Sequence, residues 1–483
     1  MISPFTPRTA YDSESRVNAL KHLLSSRTMA ASDLMNVLEI SQPTLSRTIH
    51  QIPDCIPFRV SGVRTPRYGM VRRLPGNMSG QHKVFRIDRH GSLAEAGTVS
   101  LLVGGETFLQ LGTSGHLYAG LPPSMAFAAP SGFLGRQAAH AVAAELHLPD
   151  SLRDWSDDHR CAYLIARGSN LVGDLVFGEG ALAQSMELRT LAAISASHKL
   201  QAYRAMTSAV KSAAVGSSAG GEQPKFLAFT EERGHVLVKF AALGTRMAEL
   251  LRMENLALDC LNDVGIASAR THFLEHAGFA YLEVQRFDRV GTHGRVGLLS
   301  AGALDDELFG PRDSWSQFAQ RCESARLLNA HQARRIHVMA AYSELIGNSD
   351  RHFENISLLL DASGAVADVA PAYDILPMKY APLGAGVVPD LVPITPKLGP
   401  IGVRAGVWGL ARNAALTFWE RCRDDTTLGL SEPMRAVAAR NLEAVRQFVA
   451  PLVPVDDPSA EAMPAPAART KGAKGAKTAQ NSD

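Results

Sequence analysis

The stretch from Gly347 to Asp374, GNSDRHFENISLLLDASGAVADVAPAYD, restricts the fold more than any other part of this chain. Asp350 stands five residues before Asn355; a short apolar run, a Gly-containing turn, a second run and Asp374 follow. The pattern predicts a loop feeding a β-hairpin that ends in a carboxylate. Phosphoryl transfer needs parts in that order: one carboxylate positions the attacking hydroxyl, and an Asn and a second carboxylate hold Mg²⁺ on a triphosphate. The D-x-x-x-x-N spacing alone arises by chance in long chains, and the hairpin ending in Asp is what makes it informative. The expectation is a kinase.

Upstream lies GSSAGGEQPK (Gly216 to Lys225), then FLAFT, a turn EERG and HVLVKF. Gly216, Gly220 and Gly221 let backbone N–H groups approach phosphate oxygens closely. The two apolar runs suit a hairpin, with Lys239 near the end of its second strand, where an ammonium can reach ATP phosphates. The next helix, Met247 to Asn262, carries Leu250, Ala257, Leu258 and Leu261 as its apolar stripe, and Glu254 falls inside it. A carboxylate facing a core is costly unless paired, and Lys239 is the natural partner. The alternative is a Glu254 that reaches solvent at the stripe's edge. Gly216-x-Ser218-x-Gly220 also fits the nucleophile elbow of serine hydrolases, but Pro224 and a strand follow where that motif needs a helix.

A net charge of +2 names no partner, so any nucleic-acid footprint must be local. Near the N-terminus, three helices are expected: Val17 to Leu24, Asp33 to Leu38 capped by Ser32, and a third from near Pro43 to Gln51 capped by Ser41. The tight turn at Glu39 to Ser41 suits a helix-turn-helix. Leu45 and Ile49 dock the third helix, leaving Gln42, Thr44, Ser46, Arg47 and His50 to meet base edges and phosphates. IPFRVSGVRTPRYGMVRRLP then carries Arg59, Arg64, Arg67, Arg72 and Arg73 with no acidic residue, a hairpin able to lie on a phosphate backbone. A plain helical bundle with a solvated basic hairpin is the alternative. The segment resembles winged-helix repressor domains, and double-stranded DNA is the expected partner. Paired half-sites make a homodimer the expected state.

Five scattered cysteines without a C-x-x-C pair fit a reducing cytoplasm and argue against structural zinc. The N-terminus lacks an apolar signal core and no apolar run approaches the roughly 18 residues of a span, so the expectation is a cytoplasmic chain with no membrane partner. Four regions are expected: a DNA reader over 1–76, a small β-rich part over 77–130, a catalytic region over 131–451, and a disordered Ala-, Pro- and Lys-rich tail over 452–483.

Taken together, GSSAGGEQPK, VLVKF, MENLALDCLNDVGI, VQRFDR, GNSDRHFEN and PAYDILP resemble the HipA family of bacterial serine/threonine kinases, toxin components of toxin–antitoxin systems. The resemblance runs from about Leu101 to Val449. It implies an α+β class and a two-lobed protein-kinase-like fold, here with an N-terminal winged helix-turn-helix. It implies Asp350 as catalytic base, Asn355 and Asp374 as Mg²⁺ ligands, and Lys239, with its partner Glu254, at the ATP phosphates. Ser218, Gly220, Gly221 and Lys225 fall in the nucleotide-binding loop, with Ser218 as the autophosphorylated serine and Ser217 the adjacent candidate. The implied target is a translation factor, an aminoacyl-tRNA synthetase by family. VQRFDR is expected either to brace the two lobes or to be a plain strand end. Glu222-Gln223 departs from the Ala-Arg of many relatives, and the fused DNA reader departs from kinases that pair with a separate antitoxin. The rival from another class is a DNA-binding regulator whose kinase-like half senses nucleotide.

Overall fold

The computed structural model describes residues 13–214, 223–383 and 387–453. Ser217, Ser218, Gly220 and Gly221 and the tail beyond 453 therefore lie outside the described residues. Val453 is still buried in the fold, so the tail begins two residues later than its composition suggested.

At the N-terminus, α1 (Ser13–Leu23), α2 (Ala31–Leu38) and α3 (Gln42–Ile49) close on Leu20, Leu34, Leu38, Leu45 and Ile49. Pairs four residues apart give each short helix one apolar face. Glu39, at a left-handed φ of 51°, turns the chain between α2 and α3. Strands β1 (Met29–Ala30), β2 (Cys55–Phe58) and β3 (Arg67–Met70) form an antiparallel sheet in the order β1-β3-β2. Because β1 runs directly into α2, Ser32 sits inside the first helical turn and bonds the Asp33 carboxylate instead of capping. Ser41 flanks α3 in extended conformation, but its Oγ meets Thr44 Oγ1 at 3.0 Å and caps no backbone amide.

The β2–β3 hairpin has one face engaged. Phe58 packs on Phe108 at 4.5 Å between ring centroids, and the Ser61 N–H donates to the Gly115 carbonyl. Its arginines divide accordingly. Arg59 and Arg64 are exposed, and Arg73 is exposed beside Asp54. Arg67 is half-buried and donates to the Thr28 carbonyl (3.0 Å), while Arg72 binds Asp158 (2.8 Å) and the carbonyls of Leu102 and Glu106. Arg67, expected on the DNA-facing surface, is thus used to hold this unit together.

The middle part is larger than expected. Strands β4 (Gln81–Ile87), β5 (Leu93–Leu101), β6 (Thr107–Leu111) and β7 (Ser114–Tyr118) form a meander, and β8 (Leu175–Phe177) returns to the free edge of β4. Helices α4 (Pro123–Ala128), α5 (Gly132–Leu146), α6 (Asp157–Arg167) and α7 (Glu179–Leu188) lie within the same stretch, and α4 and α6 share the core of Val84, Val99, Leu101, Leu164 and Phe177. A boundary at 130 would leave Val84 and Val99 without Leu164 and Phe177, so the unit extends to about α7.

Beyond it, β9 (Lys225–Thr230), β10 (Gly234–Ala242), β11 (Thr271–His276) and β12 (Phe279–Gln285) make an antiparallel sheet in the order β11-β12-β10-β9. Helix α8 (Lys199–Ala214) covers one face through Tyr203, and α9 (Arg246–Asp263) covers the other through Ala248 and Leu251. A short hairpin, β13 (Arg289–Val290) and β14 (Gly294–Arg295), follows. The remaining half packs β15 (Gly297–Ser300), β16 (Ser357–Leu360) and β17 (Val366–Val369) with α10 (Ala301–Leu308), α11 (Trp315–Ser324), α12 (Ala330–Ile346), α13 (Ala405–Asp424) and α14 (Glu432–Val449). Its core holds the fully buried Trp408, Trp419, Tyr342 and Phe418. Among the described residues no helix is long and apolar enough to cross a membrane.

Phe58→Ala removes the ring that seats the hairpin on β6. It is expected to cost about 3–5 kcal/mol, as large-to-small aromatic core changes do, seen as a lower urea midpoint. An unchanged midpoint would show that the Phe58–Phe108 contact does not hold the two units together.

Candidate active site

The loop that carries Asp350 begins where α12 stops. Gly347 ends the helix at a left-handed φ of 75°, its N–H returning to Glu344 and Ser343 carbonyls, and a Cβ there would lie 2.8 Å from Ile394. Asn348, buried, accepts the Asp350 N–H through Oδ1 (3.0 Å), and Asn355, also buried, donates through Nδ2 to the Asp350 carbonyl (3.0 Å). Two amides thus clamp the Asp350 backbone while its carboxylate stays 47% exposed.

Lys239 stands across the cleft on β10. Its Nζ donates to both oxygens of Glu254 on α9 (2.7 and 2.8 Å) and to Asp374 Oδ1 (2.6 Å). Glu254 is fully buried, so the stripe position read from the helix phase does face inward and Lys239 does meet it. Burial opposes the Lys239 charge, yet Asp374 and Glu254 together raise its ammonium above the ordinary range. Lys225 pairs with Lys239 in the β9–β10 register, placing both on one face of the sheet. Like charges directly opposite cost stability unless an anion lies between them. Asp374 supplies one: burial opposes its charge, but Lys239 and Lys225 hold its carboxyl down at about 2.

Asp374 itself has a left-handed φ of 55°, a costly conformation for a residue with a Cβ. Its neighbours enforce it. Ala372 exchanges backbone hydrogen bonds with Ala267 and Ala269, and Tyr373 hydroxyl meets Ser357 Oγ at 2.8 Å.

On the face shared by Lys239 and Lys225, a cavity of about 400 Å³ is lined by Leu227, Leu237, Val284, Phe287 and Tyr373. The segment from Phe127 to Gly135, contributed by the middle unit, forms another wall. Sequence reasoning missed this cavity, although alternation in FLAFT and VLVKF puts Leu227 and Leu237 in phase with Lys239. VQRFDR proves to be a brace, but between the β9–β12 sheet and the middle unit rather than between the two expected lobes. Asp288, buried, binds Arg286 (2.8 Å) and Arg289 (2.7 Å) and accepts the Gly173 N–H, while both arginines reach Asn170 and Leu171 of the middle unit.

His352 was also missed. Its ring lies 3.3 Å from Glu354 and 3.8 Å from Asp350. The Glu354 hydrogen bond, and then Asp350, raise the imidazole above its ordinary 6.5. Glu354, bonded by His352 and by Arg312, is held down at about 2. A raised folded-state pKa contributes stability that is fully present below the unfolded value and lost as pH rises through the folded one. The urea-midpoint advantage of the wild type over His352→Gln should therefore be largest near about pH 6 and shrink toward about pH 8. A difference that stays constant across that range would show that His352 is not charged here.

The N-terminal residues expected to meet DNA fall on one helix surface. Gln42, Ser46, Arg47 and His50 are exposed on α3, and Thr44 is half-buried. Arg64 is exposed in the hairpin turn, some distance along the chain from Arg67, which points into the unit.

Comparison with known proteins assigns the chain by sequence. Residues 217–445 match the HipA-like C-terminal domain, and residues 78–186 match the YjjJ-like toxin, middle domain. Toxin YjjJ of Escherichia coli (strain K12) is 32% identical over 444 residues, covering 89% of this chain and 98% of that protein. Among solved structures, HipA of the Shewanella oneidensis MR-1 toxin–antitoxin system, in complex with HipB and operator DNA, aligns at TM-score 0.46 and 13% identity over 75% of this chain and 97% of its own. The Helicobacter pylori proinflammatory kinase CtkA aligns at TM-score 0.33 and 13% identity over 47% and 92% respectively. Identity of 32% along nearly the whole of a YjjJ toxin, with the HipA-like domain over residues 217–445, means that this chain belongs to the HipA-like toxin family.

Proposed function

We propose that the chain is an ATP- and Mg²⁺-dependent serine/threonine-protein kinase that acts as a cytoplasmic growth-inhibiting toxin and also binds DNA. The observation that carries this reading is the Lys239 ammonium shared between Glu254 and Asp374, together with a half-exposed Asp350 carboxylate whose backbone is clamped by Asn348 and Asn355. A hydroxyl entering the cleft meets the Asp350 carboxylate, which orients it and takes its proton. Lys239 and Lys225 face the triphosphate as paired cations, and the apolar cavity beside Leu227 and Leu237 takes the base.

The metal donors fit Mg²⁺. Asn355 commits its Nδ2 to Asp350, leaving Oδ1 as a hard oxygen donor, and Asp374 adds a carboxylate. Among the described residues no group of three or more His, Cys, Asp or Glu makes an all-protein metal cage, which suits a cation held by one or two side chains plus substrate phosphates. A Mg²⁺ ion held by Asn355 and Asp374 would supply charge neutralisation for the phosphoryl group being transferred.

Ser218 is the autophosphorylation site in this reading, with Ser217 as the neighbouring alternative; a phosphate of about −2 charge beside the ATP phosphates switches nucleotide binding off. The substrate is a translation factor, an aminoacyl-tRNA synthetase by family resemblance. The N-terminal three helices and hairpin act as a winged helix-turn-helix, with Gln42, Ser46, Arg47 and His50 reading double-stranded DNA and Arg64 on the backbone, as a homodimer on paired half-sites.

Intact-mass measurement after incubation with Mg·ATP tests the kinase. The wild type should gain a phosphate mapping to Ser218, and Asp350→Asn should lower the rate about 10²–10⁴-fold. No gain in dephosphorylated protein that binds ATP would shift weight to a nucleotide-sensing DNA-binding regulator. For DNA, Arg47→Ala should weaken binding to the protein's own upstream region by about tenfold, a loss of roughly 1.4 kcal/mol, in a fluorescence anisotropy titration. Equal binding by both proteins would remove α3 as the reading helix.

A further inference from the structure

A second cavity, of about 300 Å³, lies between the middle unit and the outer edge of the β9–β10 sheet. Arg189, Arg286, Arg289 and Arg295 line it together with His235 and His293, and no Asp or Glu does. Behind these groups, two carboxylates serve five guanidiniums. Asp288 is shared by Arg286 and Arg289, and Asp174 is taken by Arg86 at 3.1 Å. Arg189 and Arg295 make only neutral contacts among the described residues: Arg189 donates to the Gly91 carbonyl, and Arg295 Nη2 donates to Ser169 carbonyl (2.6 Å) and Ser185 Oγ (2.9 Å).

Arg295 is only 7% exposed, and its Nη1 is buried with no hydrogen-bond partner. A buried guanidinium with no carboxylate in ion-pair contact is costly, and several crowded together more so, even with Asp288 and Asp174 nearby. Burial, and then repulsion from Arg286, pull the Arg295 guanidinium down to about 10 and Arg289 well below its ordinary range. With only Asp288 and Asp174 against five guanidiniums, the arrangement is short of negative charge. Guanidinium forks match phosphate oxygens in geometry as well as charge.

The opposite wall is apolar. Ile194, Met206 and Ala228 form it, and Leu188 and Leu191 stand at the mouth 41% and 59% exposed. A bare inorganic ion would leave that wall facing water, whereas a phosphate ester with an apolar or aromatic body would cover it. A volume near 300 Å³ is at the lower end of small-molecule sites.

We propose that this cavity is a binding site for a small organic phosphate monoester, separate from the Lys239 cleft. The phosphate sits on Arg189, Arg295 and His293, and the organic body lies on Ile194, Met206 and Leu191. Such a ligand clamps the middle unit to the catalytic sheet, because Arg189 belongs to the one and Arg295 to the hairpin that follows the other.

Isothermal titration of the full-length protein with phenyl phosphate, with Mg²⁺ and a non-hydrolysable ATP analogue saturating the cleft, tests the assignment. One equivalent should bind. Affinity should fall at least about tenfold in Arg189→Ala and in His293→Ala, both near the surface, and stay unchanged in Arg446→Ala on the distant α14, which lines neither cavity. Inorganic phosphate should bind at least about tenfold more weakly than phenyl phosphate. The proposal is overturned by no binding while the ATP analogue saturates the cleft, by unchanged affinity in both cavity variants, by an equal loss in Arg446→Ala, or by equal affinity for inorganic phosphate. None of these outcomes depends on catalytic turnover, so failure here leaves the kinase reading standing.

Discussion

The C-terminal half depends on where a single ammonium finds its counter-charges. Lys239 comes from the middle of a sheet, Glu254 from the helix across it and Asp374 from the far end of the second lobe's hairpin. An isolated buried ion costs several kcal/mol even after relaxation, so none of the three is tolerable alone. Together they leave one surplus negative charge, which Lys225 on the neighbouring strand offsets. The cluster therefore holds β10 against α9 and both against the loop of Asp374. It also explains how Asp374 keeps a left-handed backbone. Replacing it by a residue that relaxed that conformation would strand Lys239 beside Glu254 with half its compensation gone.

What could be read in the sequence was whatever local spacing encodes. Helix phase placed Glu254 inward, and the order Asp350, Asn355, Asp374 anticipated a hairpin ending in a carboxylate. Both are short-range patterns. The extent of the middle unit was hidden because β8 pairs with β4 across three intervening strands and three helices, and no local residue pattern marks a partner so far away. The arginines of the N-terminal hairpin show the same limit. Five look alike in sequence, yet Arg67 and Arg72 are drawn inward by carbonyls at Thr28, Leu102 and Glu106. VQRFDR announced charge in an unusual density without saying what it touches. The segment Asn170 to Gly173, which satisfies it, carries no motif at all.

The brace has a consequence for how the molecule transmits strain. Asn170, Leu227 and Arg286 line both cavities, the apolar one beside Lys239 and the cationic one behind it. Packed interiors do not deform continuously, and a shift of a shared wall on one side is felt on the other. Leu227 is the clearest case, since it belongs to β9, the strand that opens with Lys225. Arg286 is held by Asp288 and by Asn170 together, so moving it requires moving the middle unit as well. A ligand that drew Arg286 or Arg289 toward the outer cavity would therefore tighten the same joint that walls the inner one. The middle unit is in this sense part of the inner cavity's frame: it supplies Phe127 to Gly135 as one wall and Asn170 to Gly173 at the brace.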